Sequence, residues 1–428
     1  MNSNRIVEIL NRSQADAWEM NECTTEGLEF YFIRHALDQN RTRNVTHISV
    51  TVYVNMDDGR SCGMANGEIH LTWGEHEVED AIARLCENAR YGVNPAFDLN
   101  HPAETDQLQE TVDPYNNARD YIRTLQSITE SKQAYLNSYE IFTQSDTVRY
   151  RNSNGIDVTE VLPSSMAEVI VNAGNEEHEI ELYRMYRNGN CDEQYLKQEI
   201  EKTMQYGIDR LCAVDTPSGL NVPVLFSTEE SVRIYDWFMT QIDTAYIYRG
   251  ISKVHKGDRL MDEDAACPLT IWARKNLPNS SCNHVIDEEG AVIEDRVLID
   301  EGIVTSLVGP RRFCQYMHEE NTFNLTNYQV LPSSITEEQI RSGSYLEVVE
   351  FSGFEVNAIT GDIFGEIRLG YLHDENGVTV IKGGSVSGNI ADQKKDMLFS
   401  DRLTQYNNKS VPTVTCLKHL TIAGCAKN

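Results

Sequence analysis

Residues 356–390 read VNAITGDIFGEIRLGYLHDENGVTVIKGGSVSGNI. Thr360-Gly361-Asp362 is a turn between extended segments. Glu375-Asn376-Gly377 is a second turn, because an Asn-Gly pair tolerates the positive φ of a tight hairpin. Thr379, Val380 and Ile381 follow as a strand that Gly383-Gly384 ends, and the segment closes on Ser387-Gly388-Asn389-Ile390. The pattern predicts a β-meander, with glycines where the backbone turns sharply or is approached closely.

Working outward, the rest of the chain alternates between the two periods. Residues 1–26 read as helical, with Ile6, Val7, Ile9 and Leu10 on one side. Ile48, Val50, Val52 and Val54 alternate as a half-buried strand, and Asp58-Gly59 turns it back on itself. Helices are predicted over 75–91, 118–136 and 192–211, with strands filling 139–185 around a turn at Asn152-Ser153-Asn154-Gly155. Asp215-Thr216-Pro217-Ser218-Gly219 is the best linker, which divides the chain into 1–216 and 217–428. After a buried strand at 222–226, Ser227 and Glu230 fit a capping box opening a helix over 228–243. Beyond it, loops and strands dominate. The fold class is α+β: an N-terminal mixed domain and a C-terminal domain rich in antiparallel strands.

Bulk properties narrow the function. The chain has 428 residues and a net charge of −29, so it repels phosphate backbones, and no basic run exceeds two residues. Direct nucleic-acid binding is disfavoured. The ten cysteines form no C-x-x-C pair and read as reduced thiols. Neither a signal peptide nor a membrane-length apolar run is evident, which makes the cytoplasm the expected location.

A zinc peptidase needs about three convergent ligands, commonly two imidazoles one helical turn apart with a Glu to activate water. Three His-Glu pairs occur, His76-Glu77, His178-Glu179 and His318-Glu319, and none has a second His four or five residues on. Cys416 and His419 stand three apart in a predicted strand and so face opposite sides. Neither a G-x-S-x-G elbow nor a Walker-type phosphate loop is present. Gly383-Gly384-Ser385 runs into a strand and not a helix, against a helix-based anion cradle.

The T-G-D turn, the acid-Asn-Gly turn and Gly388-Asn389 together resemble the C-terminal signature of the TldD/PmbA (TldD/TldE) metalloprotease family, on its PmbA/TldE side. Asp58-Gly59-Arg60 with Cys62-Gly63, the turn at 152–155, the turn Asp287-Glu288-Glu289-Gly290 and the closing stretch 411–424 resemble further parts of it. The resemblance makes Gly361, Asp362, Asn376, Gly377, Gly388 and Asn389 the family-motif or substrate-groove candidates. It also implies a dimer in which a TldD-like subunit carries zinc on a His-Glu-x-x-x-His helix, with a Cys near the C-terminus as third ligand, and cleaves peptides or unfolded proteins. The family places that helix where this chain has residues 228–243, which hold no His. The expected role is therefore a partner subunit, binding no cofactor itself, helping to hold a peptide and linked by family name to modulation of DNA gyrase. Two alternatives stand beside it. One is an active metallopeptidase with a site assembled from scattered groups such as His255, His284, His318 and His373. The other is a stand-alone peptide-binding homodimer.

Overall fold

The structure, a computed structural model, describes residues 1–105, 113–174 and 178–425. Strand makes up 42% and helix 22%, and the sheets are mainly antiparallel, which is an α+β fold.

The first half is one antiparallel sheet of seven strands: β1 (Ala17–Ile33), β2 (Ala36–Met56), β3 (Ser61–Glu68), β4 (Asn94–Pro95), β5 (Ala134–Asn152), β6 (Asp157–Gly174) and β7 (Glu179–Asn188). Their order is β4-β3-β2-β1-β5-β6-β7. Helices α1 (Ser3–Arg12), α2 (Glu75–Ala89), α3 (Pro114–Gln126) and α4 (Glu193–Cys212) belong to the same half. Val78, Ile82 and Cys86 of α2 pack on Val50 and Val52 of β2. Tyr121 and Leu125 of α3 join Leu196 and Ile200 of α4 over Ile141, Val169 and Val171. These are the i, i+3, i+4 faces the periodicity marks.

Two helical expectations shift. Only Ser3–Arg12 of the first 26 residues is helical, and β1 begins at Ala17. Strand pairing wins there because β1 is hydrogen-bonded on both sides, to β2 and to β5, along nearly its whole length. The third helix starts earlier, at Pro114 behind the cap of Asp113, and stops at Gln126, since Leu136 is needed in the core of β5. Residues 36–45 of β2 lie beyond the reach of β3, which begins pairing at Ser49, and all ten are exposed.

The second half carries β8 (Val214–Asp215), β9 (Val224–Phe226), α5 (Val232–Gln241), β10 (Ile271–Arg274), β11 (Arg296–Asp300), β12 (Ile303–Val304), β13 (Asn327–Val330), β14 (Tyr345–Val356), β15 (Asp362–Asp374), β16 (Gly377–Lys382), β17 (Ser385–Asn389), β18 (Leu398–Phe399), β19 (Leu403–Tyr406), β20 (Lys409–Pro412), β21 (Thr415–Leu417) and β22 (Thr421–Ala423). One sheet runs β12-β11-β10-β13-β20-β19. The other runs β18-β21-β9-β14-β15-β16-β8, with β17 between β15 and β22. Their facing apolar residues, with Ile234, Tyr235 and Phe238 of α5, form the largest core.

The predicted meander is β14 to β17. Along β15, β16 pairs through Asp374↔Gly377 to Gly370↔Ile381 and β17 through Glu366↔Ser385 to Asp362↔Asn389. The register is the same in both, so β16 and β17 are one strand puckered at Gly383-Gly384. Both glycines have positive φ, and a Cβ on Gly384 would lie 2.2 Å from the carbonyl of Ala423.

Where the halves meet, Glu19 is buried and accepts from the hydroxyls of Tyr53 and Tyr150. The turn at 287–290 packs beside it, and Glu289 accepts from the Arg311 backbone N–H at 2.8 Å. Burial, first, pushes the Glu289 carboxyl up to about 7, and it raises Glu19 and Asp287 as well.

Candidate functional site

A cleft of about 560 Å³ lies between β7 and the start of α5. One wall is residues 183–188 of β7 with Tyr195, Glu199 and Tyr206 of α4. The facing wall is Ser227, Thr228, Glu229, Glu230 and Arg233, and the β19–β20 turn closes one end with Tyr406 and Lys409. β7 is the last strand of its sheet and, among the described residues, pairs only with β6, so its other edge is open. An open strand edge beside aromatic pockets is the arrangement that receives an extended peptide: main-chain bonds supply affinity and alternate side chains supply selectivity.

The walls are held firmly. Arg184 of β7 forms an ion pair with Glu350 of β14, whose side chain is 8% exposed, and this ties the edge strand to the second half. Glu347, two strand positions away from Val349, accepts from Ser227 and from both terminal nitrogens of Arg341. Burial alone would raise Glu347, but those bonds overcome it and hold the carboxyl below its usual range. Lys409 reaches both carboxylate oxygens of Asp236 at 2.8 Å, and the Tyr328 hydroxyl donates to the same group at 2.9 Å. Tyr186, Tyr195 and Tyr206 are raised, in each case chiefly by burial, and stay neutral donors. Glu229 is also raised, first by the protein crowded round it and then by repulsion from Glu230.

The predicted capping box is not formed. Ser227 donates to Glu347, and Thr228 donates to Glu230, so neither caps α5, which enters through a 3₁₀ turn at Glu229–Ser231. Each hydroxyl is oriented by the carboxylate it donates to, and neither accepts from a helix amide.

The residues at this position do not fit zinc. The groups offered to the cleft are Glu229, Glu230 and Arg233, with Lys409 opposite, a mixture of carboxylates and fixed cations without an imidazole or thiolate. Among the described residues, no three of His, Cys, Asp and Glu converge to hold an ion. The scattered histidines stay apart. His284 bonds Glu160 at 2.9 Å, His373 stacks on Tyr345 and His318 sits at a turn with φ 59°. Cys416 is buried in β21 and its thiol is pushed up to about 11 by burial, while His419 bonds Asp396 at 2.9 Å.

The family-motif candidates separate into two places. Gly361, Asp362, Gly388 and Asn389 come together, because Asp362 pairs with Asn389 and Ile363 with Gly388 across β15 and β17. The Asn389 amide donates to the Thr360 carbonyl at 2.9 Å and to Asp362 at 2.8 Å, which locks the turn. Gly361 has φ 75°, and a Cβ there would stand 3.1 Å from the Trp237 ring nitrogen of α5. Asn376 and Gly377 lie at the far end of β15, in the exposed β15–β16 turn. None of the six lines the cleft, whose walls come from four separated stretches. The one local hint is the alternating run Leu182, Arg184, Tyr186 in β7.

Residues 219–424 match the sequence family described as the PmbA/TldA metallopeptidase C-terminal domain. No curated protein matches by sequence. Three solved structures share the fold over nearly the whole length of both chains. TldE from Thermococcus kodakarensis superposes with a TM-score of 0.78 at 15% identity, covering 98% of this chain and 99% of its own. A candidate modulator of DNA gyrase from Thermotoga maritima gives 0.79 at 12% identity, covering 99% of each. Another from Bacteroides thetaiotaomicron gives 0.81 at 13%, covering 99% of this chain and 98% of its own. The chain thus carries a PmbA/TldA metallopeptidase C-terminal domain at 219–424, within a fold shared from end to end with TldE and the two gyrase-modulator structures.

Proposed function

We propose that this chain is a TldE-type subunit that positions peptide for a zinc-bearing TldD-like partner and performs no hydrolysis alone. The observation that carries this is the chemistry of the cleft. An open strand edge and a tyrosine-lined wall suit an extended peptide, while Glu229, Glu230 and Arg233 replace metal ligands at the start of α5. The exposed strip 36–45 of β2 is a second free edge, suited to meeting another chain. All ten cysteines are free, in keeping with a reducing cytoplasm. Any effect on gyrase, the activity named for two of the structural relatives, would then be indirect and proteolytic, since a chain of net charge −29 is repelled by DNA. The division into 1–216 and 217–428 is proposed as the domain boundary.

The test is co-purification from the native host followed by metal analysis and peptide-cleavage assays. The expected result is a complex with a His-Glu-x-x-x-His protein, zinc in that protein, and cleavage only when both are present. Stoichiometric zinc and cleavage by this chain alone would overturn the reading. A pure homodimer with neither would favour a stand-alone peptide binder.

A further inference from the structure

The strand formed by β16 and β17 does not run smoothly. At its pucker, Gly383 lies opposite Arg368 of β15 in the shared register, and the two parts then take different outer partners. β16 pairs with β8, while β17 pairs with β22. The split opens a depression of about 630 Å³. Three cations from three elements line it: Arg210 of α4, Arg368 of β15 and Lys382 at the end of β16. No ion pair holds any of the three among the described residues, although the chain has 66 acidic side chains against 37 basic ones. Arg210 is lowered, first by burial and then by Arg368, so like charges crowd here. Asp215 and Glu366 also line the depression, but neither pairs with these cations.

The floor is rigid. Thr216 donates its N–H to the Lys382 carbonyl at 3.0 Å and its hydroxyl to the Gly383 carbonyl at 2.6 Å. Tyr371 of β15 donates to Asp209 at 2.6 Å, which fixes the end of α4 beside the pucker. The close pass of Ala423 and Cys425 forces the two positive-φ glycines. Ser385 adds a hydroxyl.

We infer that this pocket binds a compact oxyanion, a phosphate or phosphomonoester, and so clamps α4 of the first half to β15–β17 of the second. Two guanidinium forks and an ammonium match several oxygens on one centre. The carboxylates of Asp215 and Glu366 exclude an extended polyanion while leaving room for a small group. The inference stands apart from the peptidase reading, because the site lies off the cleft and involves neither metal nor peptide.

Calorimetric titration of the full chain with inorganic phosphate, and separately with O-phosphoserine, in low-chloride buffer tests it. One site per chain is expected, with Kd below about 1 mM and an accompanying rise in Tm. Arg368→Gln and Lys382→Gln, both near the surface, should each weaken binding by about tenfold while leaving the unliganded Tm close to the parent's. Binding of phosphate alone identifies the free ion, and binding of O-phosphoserine alone identifies the ester; either supports the inference. No binding of either compound, or binding unchanged in both variants, overturns it.

Discussion

At residue scale, Asn389 locks a turn. Its amide spans Thr360 and Asp362, and Gly361 between them fits only because it lacks a Cβ beside Trp237. Asn389→Ala should cost about 1 kcal/mol and Gly361→Ala about 1–3 kcal/mol, read as shifts in urea midpoint. Gly377→Ala, in open space at φ 120°, is strained by its backbone alone and serves as the comparison. The buried carboxyl of Glu289 makes a different demand. Its pKa of about 7 in the fold exceeds the ordinary 4.5, so the fold keeps a proton that the unfolded chain has released. Stability is therefore full below about 4.5 and falls as pH rises through about 7, by roughly 3 kcal/mol for this group. Glu289→Gln keeps an oxygen for the Arg311 amide and should flatten that fall, with a higher urea midpoint at pH 8. An unchanged slope between pH 5 and 8 would show that the group is not the one titrating.

Among the elements, those with a strong period were legible and those decided by distant partners were not. The face of α2 and the alternation at 48–54 appear in the sequence because one side of each meets the core. The true start of β1 was hidden, since pairing with β5 joins residues more than a hundred apart. The turns of 356–390 were plain from Asn-Gly and Gly-Gly. That the last two strands were a single puckered one needed β8 and β22 in place. The cleft was illegible for the same reason: β7, α4, α5 and the 405–409 turn meet only in space. If β7 takes a peptide as an added strand, Tyr195→Ala and Tyr406→Ala should each weaken binding of an unstructured polypeptide by about fivefold or more, measured by fluorescence anisotropy. Tyr115→Ala, on an exposed side chain away from the cleft, should leave it unchanged.

For the whole molecule, the Arg184–Glu350 pair is the clearest tie between halves near the cleft. Glu350→Gln leaves a half-buried guanidinium short of its counter-charge and should cost about 2–4 kcal/mol in chemical denaturation. Arg184→Met strands the more deeply buried Glu350 carboxylate and should cost more. If both cost the same, the pair contributes through packing alone.

The placement of β9 has one more consequence. Val224–Phe226 sits between residues 346–348 on one side and 415–417 on the other. As the polypeptide leaves the ribosome from its N-terminus, that central strand waits for nearly two hundred further residues before its second neighbour emerges. In the seven-stranded sheet, complete by Asn188, the corresponding wait is shorter, since β1 gains its second neighbour β5 by residue 152. The nascent chain therefore spends most of its synthesis with a finished first half and an apolar second half still seeking its sheet, the interval in which a chaperone has the most to cover.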